Sequence, residues 1–192
     1  MVTVRVGVLA LQGDFREHAA SFERAGAETV LVRTAGQLEG IDVLVIPGGE
    51  STTIGKLADR FGLLEPIRTV VAGGLPTLGT CAGMIFLATG TTGPEQVQAG
   101  VLDVVVERNA FGRQVDSFEA DLDVDGFDAP VHAVFIRAPW IAGVGPGVEV
   151  LAEVEGHPVV VRQGNVVATS FHPELTGDDR FSRLLLAMAG ER

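Results

Sequence analysis

The chain has 192 residues, 46% of them apolar and 20% charged, which is enough to bury a sizeable core and excludes a disordered polymer. Its 25 acidic and 14 basic residues give a net charge of −11 with no Lys or Arg cluster, so a phosphate backbone would be repelled and no nucleic acid is expected as a partner. The lone cysteine, Cys81, rules out an internal disulfide and a cysteine-based zinc centre, and no apolar run approaches the ~18 residues of a membrane span.

Residues 1–15 alternate early, carry Arg5 and close on Gln12, Gly13 and Asp14, so they read as a buried strand and not as a secretion signal. The expected location is the cytoplasm. In residues 14–26, Phe15, Ala19, Phe22 and Ala25 fall on one helical face that stops at Gly26. A strand at 27–33, a short turn and helix, a strand at 41–46, a helical stretch over 52–72, a strand at 75–80 and a helix from Ala82 complete the first half. This alternation, with strands apolar on both faces, argues for a parallel sheet covered by helices on each side.

From about residue 100 the pattern changes to consecutive strands at 101–108, 114–124, 131–138, 148–156, 157–164 and 165–171, and a final helix covers 178–189. The expectation is one α/β domain, residues 1–192, with a mixed or antiparallel extension inserted before the last strand and helix.

Three stretches imitate sites. Gly55-Lys56 follows a glycine pair, but a nucleotide loop would need glycine at Glu50 and a hydroxyl at Leu57. Asp121, Asp123, Asp125 and Gly126 match the start of a calcium loop, whose bidentate Glu is here His132, so they read as an acidic strand face ending in a turn. His18, His132 and His157 lack metal-ligand spacing and read as ordinary surface or structural histidines. No metal and no cofactor is expected.

The stretch "GTCAG", residues 79–83, is different. Cys81 follows an apolar strand and opens a helix, so it would sit on a sharp strand-to-helix turn. Such a turn strains the nucleophile's backbone and brings the residues at −2 and +2 together, where Gly79 and Gly83 leave room. The N–H groups opening the helix then face whatever is bound to sulfur, and the positive helix end favours thiolate. The alternative is an inert, buried cysteine.

A reactive thiol needs a base. His172 follows the strand at 165–171 and precedes Pro173, which favours extended backbone, so Glu174 at i+2 points to the same side and can hold the imidazole toward Cys81. That is the logic of nucleophile, base and orienting carboxylate. Both sets lie at strand ends, where open α/β sheets place their sites. "PGGES", residues 47–51, ends another strand there, and Gly48 and Gly49 can bring backbone N–H groups to an oxyanion. The plain alternative is a turn with Ser51 or Thr52 as helix cap. Gln12 would sit at the same rim.

The stretches 9–18, 47–53, 79–85, 108–119, 135–139 and 170–176, in this order, resemble the class I, triad-type glutamine amidotransferases, and among them the PdxT family of glutaminase subunits of pyridoxal 5′-phosphate synthase. The resemblance implies a flavodoxin-like three-layer α/β sandwich with a mostly parallel central sheet and an antiparallel extension. It implies Cys81 as nucleophile, His172 as general base and Glu174 as its partner. Glutamine binding would fall to Gly49, Glu50, Ser51, Arg108, Ile136 and Arg137, and the oxyanion hole to the backbone of Gly49 and Ala82. The implied partner is PdxS, a barrel-fold synthase subunit that combines the ammonia with ribose 5-phosphate and glyceraldehyde 3-phosphate. Two other readings compete: another γ-glutamyl cysteine hydrolase of the superfamily, and a non-catalytic flavodoxin-like module.

Overall fold

The computed structural model describes residues 3–110 and 117–191. Its first half follows the expected alternation: β1 (Arg5–Leu9), α1 (Phe15–Arg24), β2 (Glu28–Val32), a 3-10 turn (Ala35–Leu38), β3 (Val43–Ile46), α2 (Ser51–Arg60), α3 (Leu64–Ala72), β4 (Thr77–Thr80) and α4 (Ala82–Leu87). The helical stretch expected over 52–72 is two helices, because Gly62, at φ 67°, turns the chain between them. The second half holds β5 (Ala88–Thr91), β6 (Leu102–Glu107), β7 (Ser117–Leu122), β8 (Val131–Ile136), β9 (Trp140–Val144), β10 (Glu149–Val154), β11 (His157–Gln163), β12 (Val166–Thr169), a 3-10 turn (Pro173–Leu175) and α5 (Arg180–Gly190).

The main sheet runs β10-β11-β12-β4-β3-β1-β2. Strands β2, β1, β3, β4 and β12 are parallel neighbours, and β11 and β10 add antiparallel beyond β12. The period of two in each strand divides its side chains between two cores. Leu44 and Ile46 of β3 join Ile54, Ile67 and Phe86 from α2, α3 and α4, while Val43 and Val45 join Phe22 of α1 and Phe181 and Leu185 of α5. Each of these is at most 1% exposed, and burying a side chain of this size contributes roughly 1.5–3 kcal/mol. The result is the expected three-layer arrangement of helices, sheet and helices.

The antiparallel part differs in detail from the expectation. Beyond β10 and β11 the second half forms a separate mixed three-stranded sheet, β5-β6-β9, with β5 parallel and β9 antiparallel to β6, and an antiparallel hairpin, β7-β8. Neither β5 nor β9 was expected as a strand. Each is short and contains glycine, and each exists through pairing with β6, which no local pattern in its own residues announces. No helix among the described residues is long and apolar enough to cross a membrane.

Candidate active site

Three parallel neighbours, β3, β4 and β12, carry the chain to the same edge of the sheet, ending respectively before the glycine pair 48–49, at Cys81, and before His172. Cys81 has φ 49° and ψ −104°, a left-handed conformation that a residue with a side chain adopts only when its surroundings impose it. Its N–H donates to the Thr169 carbonyl at 2.8 Å, tying the turn to β12. A Cβ on Gly79 would stand 3.0 Å from the Gly83 backbone, and one on Gly83 only 2.0 Å from the Ile46 carbonyl of β3. The glycines therefore permit both the turn and its contact with the neighbouring strand.

His172 is fixed from several sides. Its N–H donates to the Val134 carbonyl of β8 at 3.0 Å, and its Nδ1–H donates to Glu174 Oε1 at 2.7 Å, with both residues buried. Asp14 Oδ2 stands 3.3 Å from the same Nδ1. A Cβ on Gly48 would be 2.3 Å from His172 Cε1, so the glycine pair also makes room for the imidazole. Burial disfavours the imidazolium, but hydrogen bonds with Asp14, Cys81 and Glu174 outweigh it and push His172 up to about 12. The hydrogen bond to His172 in turn holds Asp14 below the ordinary carboxylate value, against a smaller opposing effect of burial. One ligand-type atom each from Asp14, His172 and Glu174 lie within 4.8 Å of one another, but the Nδ1 proton already links them, so the cluster is a hydrogen-bonded assembly.

A cleft of about 400 Å³ opens above the sulfur. Gly49, Glu50, Ser51, Cys81, Ala82, Arg108, Ile136, Arg137 and His172 line it, and Arg108 shares the wall of Glu50, 3.3 Å from its carboxylate. Every residue to which the resemblance gave a catalytic, oxyanion or glutamine-binding role thus borders this space, except Glu174, which lies buried behind His172, whereas Gly48 and Gln12 do not line it. Part of the stretch 108–119 that pointed to Arg108 falls at 111–116, outside the described residues. Cys81, Asn109 and Arg137, three of the four described non-glycine residues with positive φ, line the cleft. Backbone strain thus concentrates where a ligand would sit.

The cap of α2 is Glu50 and not Ser51 or Thr52. Its carboxylate accepts from the N–H groups of Thr52 at 3.1 Å and Thr53 at 2.7 Å, and from Arg108 Nη2 at 3.3 Å. Burial works against ionisation there, but the Thr53 and Thr52 hydrogen bonds hold the Glu50 carboxyl at about 2. The wall therefore presents a fixed anion beside a fixed cation.

Four residues of this region escaped the sequence reading as site groups or were only placed near it. Gln12 was expected at the rim; its Oε1 accepts from the Glu50 N–H at 2.7 Å, and Gly48 O accepts from the Asp14 N–H at 3.1 Å, so the loop after β1 grips the glycine pair. Gln96 Oε1 collects Ser51 Oγ, Thr52 Oγ1 and Arg108 Nη1 at 3.1–3.4 Å. Asp14 and His18 sit one helical turn apart at the start of α1. His18 lies among the buried residues of α1 beside Ala19 and Phe22, and a histidine on an apolar face was the available signal. The other histidines are as expected: His132 is exposed between Asp121 and Glu119 on the hairpin, and His157 stacks on Trp140.

A model of the SNO glutamine amidotransferase family matches residues 8–190. The chain belongs to that family. Among its relatives, the pyridoxal 5′-phosphate synthase subunit PdxT of Mycolicibacterium vanbaalenii is 58% identical over 97% of this chain and 98% of that protein. The PdxT subunit of a Parafrankia species is 62% identical over 97% of this chain and 93% of its own length. A crystal structure of a glutamine amidotransferase aligns with a TM-score of 0.92 at 56% identity, covering 96% of this chain and 98% of that one. The Thermotoga maritima PurLQS structure aligns with a TM-score of 0.73 at 18% identity and shares the fold alone.

Proposed function

We propose that this chain hydrolyses L-glutamine to glutamate and ammonia for pyridoxal 5′-phosphate synthesis, with Cys81, His172 and Glu174 as its catalytic groups. The observation that carries the reading is the strained Cys81 backbone in a cleft it shares with an imidazole hydrogen-bonded to buried Glu174. Family membership and the PdxT relatives support the substrate and the pathway.

The α-carboxylate of glutamine pairs with Arg108 and its ammonium with Glu50, groups already held at 3.3 Å from each other, while Ser51, Ile136 and Arg137 border the rest of the cleft. The Cys81 sulfur, its proton passed to His172, attacks the side-chain amide carbon. The oxyanion is met by the backbone N–H groups of Gly49 and Ala82. The His172 imidazolium, favoured by Asp14 and Glu174, protonates the amide nitrogen; the C–N bond breaks, ammonia departs and a γ-glutamyl thioester remains. Neutral His172 then takes a proton from water, hydroxide attacks the thioester, and the sulfur leaves with glutamate as product.

Ammonia set free in water would be protonated and lost as a nucleophile, so the chain works within one domain attached to a synthase subunit of the PdxS type. Ile136, 42% exposed at the cleft, and Leu175, 44% exposed just past Glu174, are apolar surface suited to that contact. The test compares ammonia release from L-glutamine with cleavage of γ-glutamyl peptides, with and without the synthase subunit. Faster turnover of free glutamine in the complex supports the reading, and preference for γ-glutamyl peptides would replace it with a peptide hydrolase.

A further inference from the structure

One buried titratable group next to the triad has no part in the reaction just described. His18 of α1 is 1% exposed, and its Nε2 stands 2.9 Å from Thr80 Oγ1 and 3.3 Å from Glu174 Oε2. Oε1 of Glu174 is engaged by His172, but Oε2 is buried and makes no hydrogen bond of good geometry among the described residues. A carboxylate oxygen removed from water and left without a donor is strongly disfavoured. A lone pair on His18 Nε2 would face that oxygen with like charge, whereas an N–H there would face it with opposite charge. The carboxylate therefore selects the tautomer with the proton on Nε2.

We propose that His18 is a positioning residue for the triad carboxylate, sharing its Nε2–H between Thr80 Oγ1 and Glu174 Oε2 and holding Glu174 in line with His172. The inference rests on the reading of Cys81, His172 and Glu174 as the catalytic groups. Thr80 immediately precedes Cys81, so these contacts close a ring from the nucleophile's own strand through His18 and Glu174 to His172 and back to the sulfur. Burial holds His18 below its ordinary value, with Glu174, Asp14 and Glu17 pulling upward and His172 downward, so at neutral pH the ring is uncharged and offers a single N–H. The need for that N–H is greatest after His172 has given its proton to the departing amine. Two carboxylates, Asp14 and Glu174, then flank a neutral imidazole, and the cation that balanced them is gone.

The test uses the chain assembled with its synthase subunit and compares wild type with Cys81→Ala, His18→Phe, His18→Met and His18→Gln. Gln can place an N–H near the position of Nε2; Phe and Met fill the space without one. His18→Phe is expected to lower kcat for glutamine hydrolysis about 10- to 100-fold with KM within about twofold, as for other second-layer partners of reactive groups. In ¹⁵N titrations His172 is expected to lose its proton about one pH unit lower in that variant, because its carboxylate partner is no longer held; the other groups facing it, Asp14 and Cys81, are unchanged. His18→Gln should recover most of both. If His18→Phe does not fold, His18→Met carries the comparison. A packing role predicts the opposite order, with the apolar variants at or above the level of Gln and no change in the His172 titration, and that result overturns the proposal. Wild-type turnover in Cys81→Ala would instead overturn the reading on which it rests; loss in Cys81→Ala with unchanged kcat in His18→Phe overturns the role of His18 alone.

Discussion

His172 Nδ1 lies 2.7 Å from Glu174 Oε1, a contact between residues two apart in sequence and both buried at the sheet edge that carries Cys81. The spacing follows from Pro173, which keeps His172 out of the helical region, at φ −108° and ψ 84°, before the 3-10 turn begins. The imidazole thus receives its orientation from its own loop, while the sulfur comes from a different strand.

Glu174→Gln keeps the shape of this pair and removes its charge, and an amide in place of the carboxylate permits the wrong imidazole tautomer. On the precedent of orienting carboxylates in triads, kcat for glutamine hydrolysis should fall by on the order of 10²–10⁴ with little change in KM. Steady-state kinetics of the complex measure both constants. A KM effect without a kcat effect would place Glu174 in substrate binding.

Arg108 and Glu50 should separate from the triad in the same assay. Arg108→Ala removes the partner of the substrate carboxylate and leaves the sulfur and imidazole in place, so KM should rise roughly 10- to 100-fold, the worth of a hydrogen bond to a charged group. Arg108→Lys should recover part of this, because the charge returns without the planar fork.

Gly83→Ala tests the elbow as a packing device. The added Cβ would lie 2.0 Å from the Ile46 carbonyl, a backbone atom that cannot swing aside. Overpacking of this kind costs about 1–3 kcal/mol, and thermal unfolding should show a midpoint lowered by roughly 2–4 °C for each kcal/mol. An unchanged midpoint would mean that α4 does not rest on β3 as described.

Two histidines give stability opposite slopes with pH. His172 is raised in the folded chain, so its contribution is complete below the ordinary value of 6.5 and is lost as pH rises from there toward about 12. His18 is lowered, so its contribution is complete above 6.5 and is lost as pH falls below that value, where the unfolded chain takes up the proton first. Each slope reaches up to about 1.4 kcal/mol per pH unit. Urea unfolding at several pH values should give a maximum near neutrality, with the acid slope reduced in His18→Gln and the alkaline slope reduced in His172→Gln.

Much of this site can be read in the sequence because its determinants are local. Glycines at ±2 of Cys81 mark the elbow, Pro173 orders the His172 and Glu174 pair, and the apolar strands of the first half announce a two-sided sheet. What stayed hidden depends on distant partners. His18 meets Thr80, 62 residues on, and nothing around residue 18 signals a carboxylate behind it. Asp14 reaches His172 only because the loop after β1 folds over Gly48. Gln96 gains its role from three donors on α2 and at Arg108, and β5 and β9 form because β6 lies between them. Tertiary pairing overrides weak local preference in each case.

The central claim is that the Cys81 sulfur performs the attack on glutamine. Glutamate release by the assembled complex, measured for wild type and for Cys81→Ala with the fold verified by circular dichroism, tests it most directly. The account predicts a loss on the order of 10⁴-fold or more in the variant. Glutamate release at the wild-type rate from Cys81→Ala would contradict it.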